Sequence, residues 1–291
     1  MGELAALGAA FLWASASLMF ARAGRTTGPV ALNFVKTLLG LVMLAATVFV
    51  IHGTLLPTAI DPASLGWLAF SGVVGLTVGD SAFFAAINRL GARRAMLLWA
   101  LVPPTTALLA WPILDEVFGP WAVAGVTVTL LGIVWVLRER GAGTEGSAVW
   151  PGLGFGLIAV VCQSVGSVTA KLGGAQLDAV TLTMVRLAFG TAGLMLQVFG
   201  ARAFAEIRSL ISNPRALLLV AAATTLATYL GLWLSMAALQ LTLAGIAATL
   251  TSTSPIFVLP LTRIFTGEHV SRRAVGGAVV AVAGVAILLL R

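Results

Sequence analysis

Ten apolar stretches, each about as long as a bilayer is thick, fill nearly all of this 291-residue chain. A hydrocarbon core of about 30 Å needs roughly 20 apolar residues per helix. Inside lipid every backbone N–H and C=O must be satisfied within the protein, which leaves helices or closed barrels. Stretches of this length select helices, so the sequence predicts an all-α integral membrane protein. Hydrophobic residues make up 59% and charged residues 9%, against about 25% charged in an average soluble domain. No stretch between the helices has room for a soluble domain. The expected spans are 3–21, 29–51, 63–88, 92–113, 120–137, 150–171, 179–199, 215–239, 242–265 and 271–290.

The composition excludes several functions. One cysteine, Cys162, supports neither an intramolecular disulfide nor a metal cluster. The histidines, His52 and His269, fall at predicted helix ends without ligand partners at useful spacing, so no metal and no cofactor is expected. The net charge of +7 resides in short arginine loops, not in a basic run of the length a nucleic acid needs. Met1-Gly2-Glu3 lacks the positive start of a secretory signal, so the first helix is expected to be retained. A protease of the bilayer would carry Gly-x-Ser-x-Gly beside a deep histidine, or His-Glu-x-x-His. Neither is present, and no enzyme is expected. Gly141-x-Gly143-x-x-Gly146 spells a dinucleotide loop. That loop must follow a strand, and none is credible here.

The halves repeat. At an offset of 150, Gly2, Leu7, Ser17, Val30 and Gly40 meet Gly152, Leu157, Ser167, Val180 and Gly190. At an offset of 152, Gly79, Pro103, Glu116 and Gly132 meet Gly231, Pro255, Glu268 and Gly284. Lys36 meets Arg186, which keeps the charge. The expected domains are a first five-helix repeat over 1–138, a linker over 139–149 and a second repeat over 150–291. Five is odd, so the second repeat would enter the membrane from the opposite face. Such inverted repeats place a substrate site near the midplane between the halves. The odd-numbered connections carry thirteen arginines, among them Arg93, Arg94, Arg138, Arg140, Arg272 and Arg273. The even ones and the C-terminus carry Lys171 and Arg291. The positive-inside rule then puts both termini outside.

Several pieces carry a family resemblance. They are Leu12-Trp13-Ala14-Ser15, Arg186-Leu187-Ala188-Phe189-Gly190, Val102-Pro103-Pro104, Ser254-Pro255, Glu116 with Glu268, and Gly132 with Gly284. In this order, and twice over, they resemble the EamA-type ten-helix members of the drug/metabolite transporter superfamily. The resemblance spans essentially the whole chain. It implies two inverted five-helix repeats around a central cavity in a bacterial inner membrane, moving small metabolites, often outward. It also implies cytoplasmic termini, the opposite of what the loop charges indicate.

Ionisable residues at bilayer depth point to function. Lys36 and Arg186 each lie about 10 Å into their helices, and Asp80 about 12 Å from the end of its own. Lys36 and Asp80 share one side, as a structural ion pair, with Asp80 as a proton carrier, or with Asp80 exposed to a water-filled substrate cavity without coupling. Arg186 has three readings: it snorkels, it pairs with Glu116 or Asp115, or it binds a substrate carboxylate. Trp13, Trp99 and Trp233 sit deep, away from the interfacial belt, and either wall a cavity or simply pack. Gln163 and Ser167 share a helix face. With Ser17, Tyr229 and Thr251 they are further candidates for the cavity. Pro103, Pro104 and Pro255 are candidate hinges in the fourth and ninth helices. Gly75-x-x-x-Gly79 and Gly152-x-x-x-Gly156 read as close helix packing. The expected function is secondary transport of a small polar or amphipathic metabolite, such as an amino acid, by alternating access. Protons are the candidate coupling ion, the bilayer is the solvent, and the chain needs no second copy.

Overall fold

The computed structural model describes residues 1–24, 26–55, 60–90, 95, 98–99, 101–117, 119–137, 149–254, 256–258, 260–261 and 272–289. Among them every regular element is helical. The helices are α1 Gly2–Ala23, α2 Pro29–His52, α3 Pro62–Leu90, α4 Val102–Leu114, α5 Pro120–Leu137, α6 Val149–Gly173, α7 Ala179–Ala201, α8 Pro214–Leu241, α9 Ala244–Thr251 and α10 Arg272–Leu289. A short amphipathic helix, Phe204–Ile211, joins α7 to α8. Six helices, α1–α3 and α6–α8, are long and apolar enough to cross a membrane. The other four are shorter apolar helices.

The helix starts follow local chemistry. Asp178 Oδ1 accepts the amides of Val180 and Thr181 at 3.1 and 3.0 Å, and so caps α7. Asp61 Oδ2 caps α3 through Ala63 and Ser64, and Asn213 caps α8 through Ala216. Both α3 and α8 open one residue earlier than expected, at Pro62 and Pro214. Proline's missing N–H costs nothing at the first helical position. The fourth helix departs further from its expected span, 92–113. Leu98 and Trp99 are helical, Leu101 is a turn, and α4 restarts at Val102. Prolines disfavour the α conformation in the residue before them, which puts the break ahead of Pro103-Pro104. The expected ninth span, 242–265, is α-helical over Ala244–Thr251 and then turns at Ser252 and Thr253. Pro255 and Glu268 lie outside the described residues.

The sequence pattern gave no warning of one feature. Both α3 and α8 widen into π-helix, over Gly72–Gly79 and Thr225–Gly231. These are equivalent positions in the repeats, 152 residues apart. A π turn disturbs the carbonyl ladder, and in lipid the affected groups need partners. Here side chains supply them. Asn33 Nδ2 donates to Leu76 O at 3.0 Å, Gln197 Nε2 to Thr77 O at 3.3 Å, and Trp13 Nε1 to Ala227 O at 2.9 Å.

Packing between the halves is reciprocal. Helix α1 packs on α8 as α6 packs on α3, and α1 on α9 as α6 on α4. Helix α2 packs on its own repeat mate α7, and α5 on its mate α10. At the α5–α10 crossing a Cβ on Gly132 would strike the backbone of Ala281, and a Cβ on Gly284 would strike Thr129. Thr129 is the mate of Ala281, as Gly132 is of Gly284. Advancing along α5 from Thr129 to Gly132 therefore means retreating along α10 from Gly284 to Ala281, so the two helices run antiparallel.

Candidate functional site

A small cavity lies between the halves, with a volume of about 20 Å³. That is room for about one water. Its wall combines Trp13 of α1, Gln163 and Ser167 of α6, Trp99, Val102 of α4, Ser235 and Leu239 of α8, and Ala247, Ala248, Thr251 and Ser252 from the α9 segment. Trp13 and Gln163 are repeat mates at offset 150, and Trp99 and Thr251 at offset 152. Two mate pairs thus face one space. The lining is polar and aromatic but carries no charge. At this volume the cavity admits no metabolite; a wall of this make-up, once opened, suits stacking a flat or apolar body and hydrogen-bonding its polar edges.

Local packing fixes the aromatic walls. The Trp13 indole is held by its bond to Ala227 O, and it fits because Gly231 has no Cβ to meet it. Trp99 packs with its ring centre 4.3 Å from that of Phe83, tilted by 48°; Phe83 lies three residues beyond Asp80 on α3. The hydroxyls of the α9 segment bond backward. Thr249, Thr251, Thr253 and Ser254 donate to the carbonyls of Gly245, Ala247, Leu250 and Thr251. Thr251 lines the cavity while satisfied by its own helix.

Other expected cavity residues lie elsewhere. Ser17 donates to Ala14 O within α1. The Tyr229 hydroxyl bonds Thr47 Oγ1 at 2.7 Å, and its ring packs 6.1 Å from Trp233. These two rings pack against the apolar core and leave the cavity wall to others. Pro103 is buried and Pro104 half-buried at the start of α4. Ser235 and Leu239 went unnoticed in the sequence, whereas Ser252 belongs to the hydroxyl-rich run before Pro255 that the sequence marks as a cavity-facing patch. A serine and a leucine four apart are ordinary on an apolar helix, and only the path of α8 turns them inward.

Asp80 is not on the cavity wall. It begins the α-helical turn after the π segment of α3, and its Oδ2 accepts from Lys36 Nζ at 2.6 Å. Both side chains are mostly buried, and Lys36 Nζ also sits 5.5 Å from the centre of the Phe84 ring. A polar network surrounds this pair. Asn33 bonds Ser81, Ser81 donates to Gln197 Oε1 at 2.8 Å, and Thr77 donates to Gly190 O at 2.9 Å. Helices α2, α3 and α7 are thereby laced together around the π segment.

Arg186 does not pair with Glu116 or Asp115, and it does not snorkel. Its side chain is fully buried. The guanidinium lies against Gly75 and Gly166, where a Cβ would come within 2.6 and 3.1 Å of Nη2. Glu116 is taken by other partners. Its Oε1 accepts from Lys171 Nζ at 2.6 Å, and its Oε2 accepts from the Ala244 amide at 2.7 Å. Lys171 also donates to Thr242 O at 2.6 Å. This cluster binds the residue after α4, the last turn of α6, and the junction of α8 and α9.

A family profile described as the EamA-like transporter family matches residues 1–138 and again residues 150–290. The chain belongs to the EamA-like transporter family. Its members are membrane transporters of the drug/metabolite type, so this chain is a multi-pass membrane transporter acting on a small molecule. A solved structure described as "Crystal structure of protein" shares its fold at a TM-score of 0.80, with 20% identity over 99% of this chain and 96% of that one. No curated protein matches.

Proposed function

We propose that the chain is a ten-crossing secondary transporter built as two inverted repeats, 1–138 and 150–291, that moves its substrate by alternating access through the cavity at Trp13 and Trp99. The observation that carries this reading is the pairing of repeat mates across one cavity, Trp13 with Gln163 and Trp99 with Thr251. A site on the internal pseudo-twofold axis can open to either face by exchanging the conformations of the halves. Contacts at the helix ends support the count of crossings. Gly28 N donates to Glu206 Oε2 at 2.9 Å, joining connections one and seven. His52 meets Asp178 at 3.2 Å, joining connections two and six. Glu116, Lys171 and Thr242 join four, six and eight. Odd meets odd and even meets even, as ten crossings require.

The substrate is a small polar or amphipathic metabolite of amino-acid type, exported across a bacterial inner membrane by a single copy of the chain. Asp80 couples transport to protons, releasing Lys36 when it is protonated. The test uses a Cys162→Ser background with single cysteines placed at the odd and even mouths of the cavity. Alternating access gives reciprocal labelling as conditions change; simultaneous labelling of both mouths, or of neither in any condition, refutes it. In proteoliposomes Asp80→Asn should abolish pH-driven flux while leaving the folded protein intact, and unchanged flux would remove the coupling role. A reporter fused to the C-terminus decides the orientation, which fixes the direction.

A further inference from the structure

Among the described residues three ionisable side chains lie deep in the helical bundle, and their charges do not balance. Lys36 and Asp80 cancel through their 2.6 Å bond. Arg186, the repeat mate of Lys36, is left as an uncompensated cation with no exposed surface. Its Nε and Nη2 have no acceptor among the described residues, and Nη1 reaches only the Met236 sulfur at 3.3 Å. A thioether is a weak acceptor. The carboxylate whose field reaches Arg186 is Asp80, already bonded to Lys36. Leaving a buried charge unpaired is among the most costly arrangements a protein can hold. Arginine cannot escape by deprotonating. The surrounding glycines do not merely tolerate this guanidinium, because Gly75 and Gly166 on two other helices form the slot that admits it.

The position of Arg186 suggests what balances it. Gly166 precedes Ser167, and Met236 follows Ser235; both serines line the cavity. Arg186 therefore lies one residue behind the wall on α6 and on α8. The group that Arg186 Nη1 touches on α8 is the Met236 thioether, an unbranched and adaptable side chain. The cavity itself brings aromatic faces and hydroxyls but no cation. An anionic group entering it would find its counter-charge in Arg186, whose planar fork matches a carboxylate with two parallel bonds.

We propose that the substrate bears a carboxylate and that Arg186 is the residue that binds it, with Trp13 and Trp99 holding the apolar body. This rests on the transporter reading and narrows its substrate class. Among the described residues only the second repeat carries a buried cation without an acceptor, so the site is polar in one direction despite the internal symmetry.

The test uses purified full-length protein and matched probes: phenylacetate and indole-3-acetate, each against its neutral primary amide, with chloride and inorganic phosphate as further arms. Binding is read by calorimetry and by thermal stabilisation. The acids should bind saturably and at least about tenfold more tightly than the amides, as expected when a charge-assisted pair worth about 1.5 kcal/mol or more is lost. Arg186→Lys should reduce that ratio and Arg186→Gln should erase it. Should Arg186→Gln fail to fold, the acid-to-amide ratio of the native chain together with Arg186→Lys decides. The proposal is overturned by no saturable binding of either acid, by equal binding of acid and amide, by discrimination that survives at position 186, or by chloride or phosphate occupying the site with no added effect of the acids. Reciprocal cysteine labelling needs no substrate, so a chain that alternates yet ignores carboxylates loses this proposal and keeps the transporter reading.

Discussion

Glu116 offers the sharpest test of how the bundle is held on the side of the even connections. Its carboxylate is 6% exposed and accepts two charge-assisted bonds, from Lys171 and from the Ala244 amide at the start of α9. Glu116→Ala removes both. It leaves the Ala244 amide without its acceptor and strips Lys171 of its counter-charge. Breaking a buried pair from one side costs about 3–5 kcal/mol. The Lys171 side chain is 22% exposed and keeps Thr242 O, so water recovers part of that, and about 2–4 kcal/mol remains. At about 2–4 °C per kcal/mol for chains approaching this length, the melting temperature should fall by roughly 5–12 °C. The sole cysteine, Cys162, is only partly accessible within α6. A thiol-reactive fluorophore in detergent therefore reports unfolding without any engineered label. Glu116→Gln keeps an acceptor for Ala244 and should lose about half as much. A Glu116→Ala protein that melts within about 2 °C of the parent would refute the assignment, since no buried, charge-bearing tie can be cut so cheaply.

The remaining predictions use the same melt or a binding assay. Gly284→Val places a branched side chain against the backbone of Thr129 and must separate α5 from α10, at about 1–3 kcal/mol or more; a melting temperature unchanged from the parent would refute the close crossing. Trp99→Ala should weaken binding of any transported ligand by about tenfold or more, through lost stacking area, and unaltered affinity would remove Trp99 from the site. Asp178 is held below the usual carboxylate range: burial alone would raise it, but the bonds from the Thr181 and Val180 amides and the His52 charge outweigh that. A carboxyl lowered by folding stabilises above its unfolded pKa of about 4, and that contribution disappears as pH falls through the lower, folded value. Acid melts of Asp178→Asn should therefore lose part of the parent's fall in stability below pH about 4, and identical acid profiles would show that the cap contributes nothing.

The membrane class and the helices could be read from sequence because hydrocarbon imposes long apolar runs regardless of packing detail. The duplication was legible for a similar reason. Pro103 with Pro255, Glu116 with Glu268 and Lys36 with Arg186 occupy matching positions, whereas several of the alanine, glycine, leucine and valine matches follow from composition alone. The Lys36–Asp80 bond is one of the three readings the sequence allows, since equal depth on neighbouring helices already brings opposite charges within reach. The surroundings of Arg186 were not legible. Its depth along α7 says nothing of Gly75 or Gly166, which belong to other helices and mark the slot only by lacking side chains. The π segments escaped too, because hydropathy is blind to whether a turn holds four residues or five. The Glu116–Lys171–Ala244 tie joins residues more than fifty positions apart in sequence, and each alone looks like an ordinary residue at a helix end.

The crossing of α5 and α10 has a consequence for how such a chain can change. Gly132 rests on the image of Thr129, and Gly284 rests on Thr129 itself, so each half presents the other with a copy of its own seam. A bulkier residue on either side meets main chain, which has no rotamer to yield. A substitution is therefore checked twice along this seam, whereas elsewhere the copies differ: the position of Asp80 in one half is Leu232 in the other. The halves remain alike where they grip and differ where they carry charge, so the two faces of one duplicated scaffold are not electrically equivalent.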